Sequence, residues 1–215
     1  MKKIGEGYYY SVYELSPTRV VKRETDRRNK LIKLLAWYGY NPVLLLKKIS
    51  SLEESRSQSM RLSKSLAEIP ALNGVLGNPV FINDGEYEQD KAIPLGTVLD
   101  SKGEDEFLSC IQEYLDANLL LWRYGYGEIV YNFTLNAGIS NTTGRVILFD
   151  FNELTQNKEE LAADIASKKW TTQASMRGLH RSHPALYAKV QALMESAFTT
   201  SALERNWEAE AAGSQ

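Results

Sequence analysis

The chain has 215 residues, of which 43% are hydrophobic and 24% charged, with a formal net charge of −2 and one cysteine. This composition is ordinary for a globular protein, excludes a disulfide framework and gives no clear nucleic-acid signal. No apolar run approaches the roughly 20 residues of a membrane span, and Lys2 and Lys3 precede no apolar signal core, so a cytoplasmic location is expected.

The N-terminal part predicts strands followed by a basic segment. Residues 8–13 are aromatic and β-branched, residues 16–19 have turn chemistry, and Val20 and Val21 resume a strand. Residues 22–48 are basic and leucine-rich. Such a segment fits contact with a protein partner, a membrane surface or RNA, and the plainer alternative is an insertion with a solvated face.

A helix is predicted next at residues 52–66, with acidic residues in its first turn. The later elements are strands at 79–82 and 91–93, an amphipathic helix at 105–124, a hairpin-like pair of strands at 128–131 and 145–149, and helices over 158–210. This order predicts an α+β fold of two lobes. The small β-rich N-terminal lobe is residues 1–97 and the reduced helical C-terminal lobe is residues 98–215, with a hinge near residues 96–100.

Two glycines, a valine and a lysine near the N-terminus form a pattern that suits phosphate binding. The first three stand in Gly5-Glu-Gly7-Tyr-Tyr-Tyr-Ser-Val12, and Lys22 follows on the next strand. Glycines let backbone N–H groups lie over a phosphate chain without a Cβ in the way. A strand lysine among valines would be held against the floor of a cleft, where it meets phosphate oxygens. Taken singly, an ordinary loop and a solvent-facing lysine explain these residues too.

Asp150 stands at the end of a wholly apolar strand in Arg145-Val-Ile-Leu-Phe-Asp150-Phe-Asn152. A carboxylate in that position is unfavourable unless it binds something. Mg²⁺ carrying ATP phosphates fits, because hard cations take oxygen ligands. A turn or a helix N-cap is the alternative role for this aspartate.

These segments, in this order, resemble the glycine-rich loop, the lysine strand and the Asp-Phe-Gly segment of the protein-kinase-like superfamily, with Asn152 in place of the last glycine. Within it, the chain is most similar to the small bacterial kinase-like proteins of the PhoP regulatory network. That likeness is carried by the short chain, by Ile69-Pro70 and by Ser167-Lys-Lys-Trp170 followed by Arg177. It implies a two-lobed kinase-like fold.

The resemblance also implies ATP and Mg²⁺ as cofactors and a role for each motif residue. The glycines would cover the phosphates, the valine would pack on the purine, the lysine would bind phosphate oxygens, an N-lobe glutamate would pair with the lysine, and the aspartate would hold the metal. In this chain those residues are Gly5, Gly7, Val12, Lys22, Glu53 or Glu54, and Asp150. The choice between the two glutamates stays open.

The catalytic-loop segment departs from the family pattern. Asn132 lies where the family has its catalytic aspartate, and Ala137 or Gly138 takes the place of the second metal-binding asparagine, with Asn136 beside it. An amide cannot accept a proton as a carboxylate does, so Asn132 or Asn136 would position an acceptor rather than deprotonate it.

Three functions therefore stay open. The first is a divergent Mg-ATP-dependent phosphotransferase acting on a protein or small-molecule hydroxyl. The second is a catalytically dead pseudokinase that serves as a regulatory binding module. The third is a nucleotide-free interaction scaffold.

Overall fold

The computed structural model describes residues 1–7, 9–25, 60–150 and 154–209. Their first sheet has five antiparallel strands in the order β1-β2-β3-β5-β4. The strands are β1 Lys2–Glu6, β2 Tyr10–Glu14, β3 Arg19–Glu24, β4 Val80–Asn83 and β5 Glu86–Asp90. The chain thus leaves the sheet after β3 and returns to it with β4 and β5.

The two faces of this sheet differ in chemistry, as the period-2 alternation of a strand requires. On one face, Tyr10 packs edge-on against Tyr87 with ring centroids 5.3 Å apart. On the other, ion pairs join neighbouring strands, with Arg19 2.9 Å from Asp90 and Arg23 2.7 Å from Glu86. The first face therefore packs toward the core.

The other described elements are two small sheets and the helices, and most of these helices lie in the C-terminal part. The strands are β6 Ala92–Pro94, β7 Gly127–Glu128, β8 Ala137–Ser140, β9 Val146–Leu148 and β10 Leu154–Thr155, paired as β6-β8-β9 and β7-β10. The helices are α1 (residues 60–67), α2 Pro70–Asn73, α3 Leu95–Lys102, α4 Glu104–Arg123, α5 Phe133–Asn136, α6 Lys158–Ala166, α7 Ala174–Ser182, α8 Pro184–Ala197 and α9 Thr200–Asn206, with a 3₁₀ turn at Lys169–Thr172.

Helix α4 runs through the hydrophobic core of this part. Its buried side chains recur at helical spacing: Phe107, Ile111, Tyr114, Leu115, Asn118, Leu121 and Trp122. Beyond its C-terminal end, Phe198 lies at the centre of an aromatic cluster. Its ring centroid is 5.4 Å from Trp122, 5.8 Å from Tyr131 and 5.5 Å from Trp170. Helices α4 and α8 are thereby packed against the segment that follows β7.

The α+β class, the helix at 105–124 and the helices over 158–209 are confirmed. The N-terminal part has three strands where two were expected. The hairpin of 128–131 with 145–149 is wrong, because β9 pairs with β8 and β7 pairs with β10. Tyr131 has a φ of 52°, a left-handed conformation that ends extended structure before the expected strand is complete.

The segment predicted as a hinge is helical, and most of two other predicted segments lies outside the described residues. The segment expected as a hinge, residues 96–100, lies inside helix α3. Most of the helix predicted at residues 52–66 lies outside the described residues, because residues 52–59 do. The same holds for most of the basic segment 22–48, because residues 26–48 lie outside them. Among the described residues, no helix has both the length and the apolar character needed to cross a membrane.

Phe198 tests the importance of the aromatic cluster. Phe198→Ala should lower the free energy of unfolding by about 3–5 kcal/mol, because it opens a cavity among three large rings. Urea denaturation at pH 7 measures this, with Val80→Ala as control, since Val80 is 56% exposed. A loss below about 1 kcal/mol for Phe198→Ala would show that the cluster is not well packed.

Candidate functional site

A row of cross-strand partners crosses the core-facing side of the first sheet. Gly5 is opposite Val12, Val12 opposite Lys22, Lys22 opposite Tyr87, and Tyr87 opposite Phe81. Directly opposed residues of an antiparallel sheet share one face. Three of the predicted nucleotide-binding residues, Gly5, Val12 and Lys22, are therefore neighbours on the same face.

The turn between β1 and β2 is held by one backbone hydrogen bond and by one from a side chain after β3. The Gly7 N–H donates to the Tyr10 carbonyl at 2.7 Å, and the Thr25 hydroxyl donates to the Gly7 carbonyl at 3.3 Å. A Cβ built on Gly5 or Gly7 would meet its nearest neighbour at 3.5 Å, an ordinary contact. Packing within the described chain therefore requires glycine at neither position.

Lys22 is a buried cation, with only 6% of the residue exposed. Its Nζ donates a hydrogen bond to the Phe149 carbonyl and lies 5.4 Å from the Tyr87 ring centroid and 5.6 Å from that of Phe149. Burial lowers the pKa of Lys22 to about 8, and the nearby Asp150 carboxylate opposes this shift. The ammonium is thus partly compensated by a carbonyl, two rings and one carboxylate.

Asp150 is brought to Lys22 by the backbone that follows β9. The N–H groups of Phe149 and Asp150 both donate to the Asn136 carbonyl, at 3.0 and 3.3 Å. Asp150 is exposed, so its carboxylate reaches solvent while still acting on the Lys22 ammonium. Asp150 is therefore close enough to act on the charge of Lys22. Phe151, Asn152 and the candidate glutamates Glu53 and Glu54 lie outside the described residues.

Asn132 and Asn136 act in this structure through contacts that the sequence did not predict. The Ser175 hydroxyl donates to Asn132 Oδ1 at 2.7 Å, and the Thr134 N–H donates to Ser175 Oγ at 3.0 Å. Asn136 contributes its main-chain carbonyl to the Asp150 segment. Ser175, in the first turn of α7, is thus a site residue that sequence reasoning missed, and no motif in the sequence marks it.

Ala137 and Gly138, where protein kinases have a second metal-binding asparagine, have no side-chain oxygen that could bind a metal. Ala137 is fully buried, and a Cβ on Gly138 would lie 2.4 Å from the Ile93 carbonyl and 3.1 Å from the Phe149 ring. No group of three or more His, Cys, Asp or Glu side chains in the described ranges could hold a metal ion. A divalent cation here would therefore take Asp150 and ligand oxygens, the pattern that Mg²⁺ adopts with nucleotide phosphates.

No protein-family model matches this chain, and no curated protein is significantly similar to it. The kinase-like resemblance is therefore carried by the short motifs themselves. The fold adds that Gly5 and Lys22 lie on one face of the first sheet and that Asp150, distant in sequence, is close enough to act on the Lys22 ammonium.

The buried charge of Lys22 predicts a pH-dependent stability. Below pH 8 the lysine is protonated in both folded and unfolded chains, so its full burial cost is present. Between pH 8 and 10.5 the folded chain loses the proton first, so the free energy of unfolding rises with pH, by up to about 3 kcal/mol from this group.

Lys22→Met should abolish that rise and leave stability at pH 7 unchanged or higher. Urea denaturation at pH 7, 9 and 10.5 measures the difference between wild type and variant. Lys189→Met is the matched control, because the Lys189 side chain is 55% exposed. The same pH slope in wild type and Lys22→Met would contradict the buried-cation description.

Proposed function

We propose that this protein binds Mg-ATP in a kinase-like cleft and is a divergent phosphotransferase that acts on a protein or small-molecule hydroxyl. The observation that carries the proposal is that Lys22, on β3, lies against the segment after β9, where Asp150 is close enough to act on its charge. In protein kinases the phosphate-binding lysine also lies on the third strand and a metal-binding aspartate faces the same nucleotide. A five-stranded antiparallel sheet ahead of a mostly helical part supports the two-lobed kinase-like fold.

Five of the candidate site residues each supply a distinct part of nucleotide binding. Gly5 and Gly7 leave room for phosphates to approach the turn, and Val12 offers a half-buried apolar side chain for the purine. Lys22 supplies positive charge, and Asp150 supplies the carboxylate that holds Mg²⁺. The bound metal neutralises phosphate charge during transfer.

The Lys22 ammonium has three N–H donors and can bind a phosphate while one of them donates to the Phe149 carbonyl, but the phosphate must first reach the buried ammonium. In the structure the ammonium is buried beneath two rings, so nucleotide binding must include a shift of the Phe149 segment or of the lysine side chain. An arriving phosphate favours the charged form of the lysine, because an opposite charge nearby raises the pKa of an amine. Binding and protonation are thereby coupled.

Catalysis in this proposal is mostly positional and electrostatic. No carboxylate stands at position 132, and the Oδ1 atom of Asn132 is engaged by Ser175. Loss of a general base costs roughly 10²–10⁴ in rate, which leaves slow transfer through phosphate positioning. The same observation favours a second function, a pseudokinase that binds nucleotide as a regulatory module.

Mg-ATP binding is tested by thermal shift. Millimolar Mg-ATP should raise the melting temperature of the wild type by about 5–10 °C at a hundredfold excess over Kd. Lys22→Met and Asp150→Ala should lose most of this shift, and Asp100→Ala, an exposed aspartate on α3, should keep it. A wild type that does not shift, or variants that shift equally, would rule out nucleotide binding at this site.

Asn132→Asp separates the two functions. An aspartate oxygen can still accept the Ser175 hydrogen bond, so the fold is retained, and the new carboxylate can serve as a base. If the protein is a transferase, ATP turnover measured with radiolabelled ATP should increase at least about 10-fold over wild type. If Mg-ATP stabilises both proteins and neither shows turnover, the pseudokinase function is the correct one.

A further inference from the structure

Helix α7, whose first turn holds Ser175, presents a cluster of basic side chains further along the helix. Arg177, His180 and Arg181 are exposed and spaced three and four residues apart, so they share one side of the helix. With Thr171 and Tyr187 they line an open concavity of about 650 Å³. We call these five residues the basic concavity.

The positive charge of this cluster is not neutralised by the acidic side chains of the described ranges. Within these ranges, Arg177, His180 and Arg181 form no ion pair. Lysines of the neighbouring elements do form them: Lys158 with Glu204 at 2.7 Å, Lys168 with Glu195 at 2.9 Å, Lys169 with Asp164 at 2.8 Å and Lys189 with Glu104 at 3.5 Å. A chain of net charge −2 therefore keeps a local positive site here.

The side chains of the basic concavity are held by contacts from two helices. Arg181 Nε donates to the Arg177 carbonyl at 3.2 Å, which directs the guanidinium back along α7. The His180 ring packs edge-on against Tyr187 of α8, with centroids 5.0 Å apart. Arg181 also lies in the last turn of α7, where the helix dipole stabilises positive charge. The side chains of His180 and Arg181 are thus partly pre-positioned before any ligand arrives.

We propose that the basic concavity binds a phosphorylated side chain of a partner protein. Arginine guanidinium groups match the geometry of phosphate and bind it with paired hydrogen bonds, and clusters of arginine recognise phosphorylated segments of proteins. The concavity is open and large enough to admit a phosphate carried on a peptide, and Thr171 and Tyr187 are further lining residues with hydroxyl groups. This site is independent of the proposed nucleotide-binding function.

The surroundings favour a protein phosphate over a membrane or a nucleic acid. Membrane-surface helices pair basic residues with exposed large hydrophobic ones. Among the described residues the exposed large hydrophobics are Met1, Ile4, Leu15, Val80, Ile82, Ile93 and Leu135, and none of them is on α7 or α8. Nucleic-acid binding gains its affinity from cations spread over several phosphates, whereas this cluster covers little more than one helical turn.

The test uses the full chain and a capped peptide, Ala-Ala-phosphoserine-Ala-Ala, with its unphosphorylated form. We expect chemical shift changes of Arg177, His180 and Arg181 in a heteronuclear NMR titration with the phosphopeptide only. Arg177→Ala/Arg181→Ala should weaken its Kd at least about 10-fold. Arg177→Lys/Arg181→Lys keeps the charge but lacks the planar fork, so it should weaken binding to an intermediate degree and also serves if the alanine variant fails to fold.

The control variant is Lys102→Ala/Lys158→Ala, which removes two charges elsewhere. It should bind the phosphopeptide as the wild type does. Equal weakening by the control, equal binding of the unphosphorylated peptide, or no shift changes at α7 would each overturn the proposal. Tighter arginine-dependent binding to phosphatidylserine vesicles or to single-stranded DNA would overturn it in favour of a lipid or nucleic-acid surface.

Discussion

The contact between the Lys22 ammonium and the Phe149 carbonyl is the interaction on which the candidate site depends. It joins the third strand of the first sheet to the end of the second sheet, across 127 positions of sequence. A buried ammonium requires compensation, because an unpaired charge away from water is costly. The Phe149 carbonyl, the two aromatic rings and Asp150 supply it together, and they thereby define where the two parts of the chain meet.

Main-chain groups hold the rest of the site more than side chains do. The Asn136 carbonyl accepts from both Phe149 and Asp150, so α5 and the end of β9 are positioned as one unit. Gly138 lets β8 lie directly against the Ile93 carbonyl and beneath the Phe149 ring. Ser175 then connects this unit to helix α7 through Asn132. Few of these constraints require a particular side chain, and for that reason short motifs alone identify the site poorly.

Features that depend on short stretches of sequence, such as helices and individual strands, could be predicted. The buried face of α4 follows from helical spacing, and the positions of Lys22 on a strand and Asp150 after a strand follow from short apolar runs. Strand pairing was predicted wrongly, because the partner of β9 depends on tertiary contacts and on the left-handed turn at Tyr131. The Ser175–Asn132 bond and the concavity around Arg177 and Arg181, which have no ion pair among the described residues, depend on tertiary packing, which no local pattern encodes.

The buried lysine also implies a compromise between the stability of the ligand-free protein and its affinity for an anion. A cation kept away from water makes the fold less stable, and an anion bound beside it would reduce that cost. If Lys22 binds an anion as proposed, selection for tighter binding would therefore tend to make the empty protein less stable, and selection for stability alone would replace the lysine with an apolar residue.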